Sequence, residues 1–179
     1  ANIGNSVTSI GQDAFCGCDI LETVSIGNGV TSIGQDAFHG CDILVTIKIP
    51  DSVKSIGNNS FASCDTLATV VIGNGVETIG ESAFSYCGNL TSVTFGTGLK
   101  SVESYAFYGC DKLQCLYIND IVSYCNIDFN EYYYYWDGNF SSNPLNQNNC
   151  NLYLNGNLVE NLVIPEGVIC GNSLGDAFY

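Results

Sequence analysis

The sequence predicts a parallel β-solenoid assembled from short repeats, with short helical or 3₁₀ turns between extended segments. Three observations carry that expectation. Apolar residues return at a strict 23-residue interval. Within each interval, short stretches alternate like strands and close on Gly/Asn or Pro/Asp turns. The composition is apolar and weakly charged, 46% hydrophobic against 12% charged in 179 residues, which suits one folded unit and excludes disorder.

The repeat comes first, because it sets the whole architecture. Phe15, Phe38, Phe61, Phe84 and Phe107 stand 23 residues apart, as do Ile10, Ile33, Ile56, Ile79 and Val102. Cys18, Cys41, Cys64, Cys87 and Cys110 form a third column, and Leu21, Leu44, Leu67, Leu90 and Leu113 a fourth. Columns beginning at Val7, Val24 and Ile26 complete the set. A unit of this size cannot bury its own apolar residues, so it must bury them against its neighbours. Leu21, Val24 and Ile26 read as the inward positions of one strand, and Val30 and Ile33 of a second. Residues 27–29 form the turn between them, replaced by Pro50, Asp51 and Ser52 in the next unit. Residues 34–38 read as a helical or 3₁₀ turn that drops Phe38 into the core.

The pattern V-x-x-I-x-x-x-A-F-x-x-C-x-x-L-x-x-V-x-I resembles the BspA-type leucine-rich repeat over residues 3–118, and again, less regularly, over 152–179. The resemblance implies a right-handed, curved, leucine-rich-repeat-type parallel β-solenoid. It also implies a secreted or surface-displayed protein, several relatives of which look like adhesins. It brings no catalytic residues and no cofactor.

Residues 1–118 divide into five regular units, the first partial; 119–151 are an aromatic and acidic insertion; 152–179 resume an irregular repeat. The insertion carries Tyr132, Tyr133, Tyr134, Tyr135 and Trp136, a run that offers large rigid faces to a ligand. The competing reading is that these rings fold back and seal the loop. Parts of the insertion, 119–129, 142–145 and 151–156, resemble an interruption that recurs between BspA-type repeats; the Tyr/Trp run departs from it. Tyr117, on the last regular strand, points outward beside it and joins the candidate binding residues.

The ten cysteines split in two. The column of five reads as a ladder of buried thiols, because stacked side chains run parallel and do not meet as a disulfide requires. Cys125 and Cys150 flank the insertion, and a bridge between them would add about 3 kcal/mol. Cys115 takes an outward strand position and should be more exposed than the ladder. Asp19, Asp42, Asp65 and Asp111 form a column of carboxylates, whose repulsion calls for turn amides or a bound calcium; turn amides fit better.

Function classes fall away by charge and residue type. Four Lys, no Arg and a net charge of -14 remove the cationic surface that nucleic acid needs. No apolar run reaches the length of a membrane span. His39 is the only histidine and varies with Cys16, Ala62, Ser85 and Tyr108 in its column, so neither a catalytic triad nor a metal site is expected. The expected function is non-enzymatic recognition outside or at the cell surface, of a protein or glycan on a host or neighbouring cell. The alternative is a structural protein that self-associates through uncapped solenoid ends into filaments or a layer, since the chain opens and closes within a unit.

Overall fold

A computed structural model describes residues 1–130, 143–146, 150–160 and 166. Each regular unit contributes two very short strands. In chain order these are β1 (Asn2–Ile3), β2 (Ser9–Ile10), β3 (Ser25–Ile26), β4 (Ser32–Ile33), β5 (Thr46–Lys48), β6 (Ser55–Ile56), β7 (Thr69–Val71), β8 (Thr78–Ile79), β9 (Ser92–Thr94) and β10 (Ser101–Val102). Then follow β11 (Cys115–Ile118), helix α1 (Ile121–Cys125), β12 (Asp128–Phe129), β13 (Asn151–Leu154) and β14 (Asn157–Leu158).

The strands assemble as the repeat demands. One sheet runs β2-β4-β6-β8-β10-β12, the other β5-β7-β9-β11-β13-β14, and β1 pairs with β3 as a separate two-stranded piece. All pairs are parallel except β13 with β14. The register is one unit per rung: Ile33 faces Ile56, and Val70 faces Val93. The parallel solenoid of stacked rungs is therefore as the repeat predicted.

Between the sheets lies the core. The phenylalanine column stacks face to face, with centroids 4.9, 5.0, 5.2 and 5.4 Å apart and planes within 6°. Phe38, Phe61, Phe84 and Phe107 are fully buried. Each aromatic pair contributes about 0.5–1.5 kcal/mol beyond the area it buries.

The turn that carries each Phe is not a helix. Asp36 and Gly40 take left-handed backbone, with φ 52° and 66°, and so do Asn59, Ser63, Ser82 and Tyr86 in the following units. Two such residues per unit interrupt any helical run. The intervening N–H groups turn to the next rung instead: Phe38 donates to Ser60 O at 2.7 Å, and Gly40 to Ala62 O at 2.9 Å. Only isolated three-residue turns remain, such as His39 N–H to Asp36 O.

The solenoid does not stop where the period does. β12 pairs with β10 and puts Phe129 in register with Val102. β13 pairs with β11 and puts Leu152 in register with Leu116. Both ends of the expected insertion are thus rungs of the two sheets. Helix α1 links β11 to β12, capped by Asp120, whose carboxylate accepts from Ser123 N–H at 2.7 Å. No described helix is long and apolar enough to cross a membrane.

Candidate functional site

The outward positions of the second sheet form the most ordered exposed surface near the period break. Alternation along each strand puts Thr46 and Lys48, Thr69 and Val71, Ser92 and Thr94, and Cys115 and Tyr117 on the outside. The rungs align these into two columns, one of them Lys48, Val71, Thr94, Tyr117 and Tyr153. Small hydroxyls bond along the other: Ser92 Oγ donates to Thr69 Oγ1 at 3.3 Å.

Tyr117 meets Tyr153 at the head of its column. Their rings stack with centroids 4.8 Å apart and planes 26° from parallel. Both are half-buried, so each keeps a face or an edge open to a ligand. Burial, then the Cys115 thiol and the Tyr153 ring beside it, pushes the Tyr117 hydroxyl above the ordinary tyrosine range. It therefore stays a protonated hydrogen-bond donor at neutral pH. Tyr153 was not singled out from sequence: it follows Tyr117 by 36 residues, and only the pairing of β11 with β13 brings them together.

Tyr132, Tyr133, Tyr134, Tyr135 and Trp136 lie outside the described residues. Their flanks are firmly held. Asn130 Nδ2 donates to Glu103 Oε2 at 3.0 Å, and Asn130 O accepts from Ser104 Oγ at 3.1 Å. On the far side Asn143 is fully buried, and its Oδ1 accepts both Tyr124 OH and Leu145 N–H at 3.0 Å. Burial pushes the Tyr124 hydroxyl upward, so it remains the donor.

The cysteines need one correction. Cys125 is disulfide-bonded, but Cys150 is a free thiol, so the two are not bridged to each other. Parallel pairing explains it: Cys150 sits just before β13, buried beside Cys115 and Leu116, while Cys125 ends helix α1. The Cys125 partner lies outside the described residues. Burial holds the Cys150 thiol at about 12.

The ladder of Cys18, Cys41, Cys64, Cys87 and Cys110 consists of thiols outside any disulfide, all buried but Cys18, which is half-buried at its end. Their role is more specific than filling space. Cys41, Cys64, Cys87 and Cys110 each donate Sγ–H to a phenylalanine carbonyl of the preceding unit, at 3.1–3.3 Å. Burial raises Cys41 and Cys110 to about 12. The adjacent Cys87 thiol, followed by burial, raises Cys64 further. None of these three is a thiolate at neutral pH, so none is primed as a nucleophile. Cys115 is half-buried, more exposed than Cys41, Cys64, Cys87 and Cys110 and of the same class as Cys18 at the ladder's end.

The carboxylate column was misjudged. Asp19, Asp42, Asp65 and Asp111 are exposed, and among the described residues their carboxylates accept no turn amide; at Asp42 and Asp65 it is the backbone carbonyl that accepts, from Thr66 Oγ1 and Asn89 Nδ2. Water screens them well enough that no cap is needed. The capping falls to another column. Asn5 Oδ1 accepts Asn28 N–H at 2.8 Å, Asp51 Oδ1 accepts Asn74 N–H at 2.7 Å, and Asn74 Oδ1 accepts Thr97 N–H at 3.1 Å. Among the described residues no group of three His, Cys, Asp or Glu could hold a metal ion. Among the described residues His39 Nδ1 is buried without a hydrogen-bond partner.

Comparison with known proteins places this architecture. The chain aligns with 36% identity to a leucine-rich repeat protein of T. pallidum, over 62% of this chain and 52% of that one, with a TM-score of 0.60. A leucine-rich repeat protein of Bacteroides ovatus aligns with 34% identity, over 70% and 34% of the two chains, with a TM-score of 0.60. One from Eubacterium ventriosum shares the fold at 24% identity and a TM-score of 0.62, over 76% and 45%. The chain thus spans about half or less of these proteins. No curated protein matches it. The model of the BspA-type leucine-rich repeat region matches residues 1–114 and 57–169, with six copies, and with the stacked rungs this establishes that the chain belongs to the BspA-type leucine-rich repeat family.

Proposed function

We propose that this chain is a non-enzymatic recognition module of adhesin type, working outside the cell or at its surface. It binds a protein or glycan through the outward face of the second sheet and the aromatic segment at 132–136. One observation supports this most: the Tyr117 and Tyr153 rings stack at 4.8 Å on the outward, hydroxyl-bearing face of the second sheet. Rigid aromatic anchors supply contact area at low entropic cost. Deleting residues 132–136, or replacing Tyr117 with Ala, should weaken capture of the full chain's ligand from an immobilised panel of extracellular proteins and glycans. The melting temperature should hold. A large loss of melting temperature with unchanged binding would return these rings to a packing role.

A further inference from the structure

A trough runs along the edge where the second sheet passes into the Gly/Asn turns; it shares Lys48, Val71 and Thr94 with the outward face and adds a floor and a second wall that the face does not use. Its largest part is a cavity of about 520 Å³ spanning the rungs from Lys48 to Thr94. A second part, of about 410 Å³, continues it past Asn28 to Asn2. Both volumes fall within the range of small-molecule sites.

At Gly73 and Gly96 the floor is bare backbone and must be, while Pro50 takes the same position one rung earlier. A Cβ on Gly73 would stand 2.6 Å from Pro50 C, and one on Gly96 would stand 2.3 Å from Gly73 O. Asn119 takes the glycine position one rung later and bounds the trough there. One wall carries Lys48, Val71 and Thr94. The other carries Asn28, Asp51 and Asn74. In Asp51 and Asn74, Oδ1 is spent on the next rung's N–H. That fixes each side chain and leaves the exposed Asn74 Nδ2 and Asp51 Oδ2 to face solvent.

We propose that this trough binds a neutral linear polysaccharide. The proposal rests on the recognition reading above and narrows it to one site and one ligand class. The walls alternate donor, acceptor and apolar surface, which matches the hydroxyls and C–H faces of pyranose rings. They recur once per rung, and the rungs here are 5.0–5.2 Å apart at the phenylalanine ladder, close to the advance of an extended sugar chain. A peptide cannot add itself as a strand, because the floor's backbone is already paired. Ile49 N–H bonds Val71 O, Ile72 N–H bonds Thr94 O, and Phe95 N–H bonds Tyr117 O, at 2.8–2.9 Å. A polyanion meets a net charge of -14 with Lys48 as the lining's one cation, beside Asp51.

The test titrates the full chain with neutral linear hexasaccharides of glucose, N-acetylglucosamine and mannose, and with a polyuronate hexasaccharide as the charged control. Amide resonances of Gly73 and Gly96 and the dissociation constant are followed. At least one neutral probe should shift both amides. Thr94→Trp, which fills the trough, should weaken that probe by about tenfold or more, and Lys48→Ala should weaken it less. Lys100→Ala, on the other sheet, should bind as the parent, and unchanged melting curves verify that Thr94→Trp is folded. Silence from all three neutral probes, or tighter binding of the polyuronate, overturns the proposal. A probe lost in Tyr117→Ala but kept in Thr94→Trp also overturns the trough, while leaving recognition by the outward face intact.

Discussion

Between residues 7 and 118 the buried side chains belong to columns that recur every 23 residues; between 119 and 160 Phe129 and Leu152 still extend columns, but at another spacing, and the polar groups that fix the segment have no copy. The first region is held by repetition. Each Phe rests on the Phe of the unit before it, and each ladder thiol reports to a carbonyl of that unit. The second region is held by single, specific contacts: Asp120 with Ser123, Tyr124 with Asn143, Asn130 with Glu103. Repetition gives a rung two neighbours and spreads its stability along the axis. Specific contacts fix one place and allow the sequence there to change, which is why the aromatic segment can be carried at that point.

The comparison breaks most visibly at the centre of the ladder. Phe61 packs between Phe38 and Phe84 at 5.0 and 5.2 Å and is fully buried. Phe61→Ala should cost about 3–5 kcal/mol, as large core truncations do. Chemical denaturation followed by circular dichroism measures it. Because the cavity would lie in the shared axis, amide protection should fall in the units on both sides. A loss below about 1 kcal/mol would mean that neighbouring rungs collapse to fill the space and that the stacked rings are not what couples them.

Tyr124→Phe sharpens the other side of the comparison. The substitution keeps the ring, which touches Phe129 at 5.9 Å, and removes only the donor to Asn143. Asn143 keeps the Leu145 N–H, so the cost should be about 1–2 kcal/mol. Hydrogen exchange should speed up in α1 and at Leu145, with the amides of Phe38 and Phe61 unaffected. Equal acceleration everywhere would show that both regions open as one cooperative unit, and the division drawn above would fail.

What was legible in the sequence follows the same division. Columns announce themselves, so the rungs, the phenylalanine stack and the thiol ladder could be read directly. Phe129 could not: it follows Val102 by 27 residues, and only the geometry of β12 returns it to register. Cys150 was hidden for the same reason, since spacing alone cannot tell a thiol that joins a rung from one that leaves it. Within the regular units, what escaped was the partner of a repeated polar residue. Asp19 and Asp51 both read as turn residues, but a side-chain bond from Asp51 to the next rung depends on which way the turn faces. Tyr117 was legible as an outward residue, and its pairing with Tyr153 was not.

The smallest expected effect runs against the usual direction and separates repetition from its exceptions. Ser60 occupies the column held by Ala14, Ala37, Ala83 and Ala106. It is fully buried, and its Oγ has no partner among the described residues. A hydroxyl so placed has lost its water and gained nothing in return. The backbone around it is that of its neighbours, with Ser60 O accepting Phe38 N–H at 2.7 Å, so alanine fits without strain. Ser60→Ala should therefore stabilise the chain by about 1 kcal/mol, read as a higher denaturation midpoint at unchanged slope. The reason is local: the column already specifies alanine, and the gain is the removal of a dehydrated hydroxyl from the stack. A lower midpoint would mean that Ser60 Oγ has a partner in solution, a bound water above all, and that this rung departs from its neighbours by design.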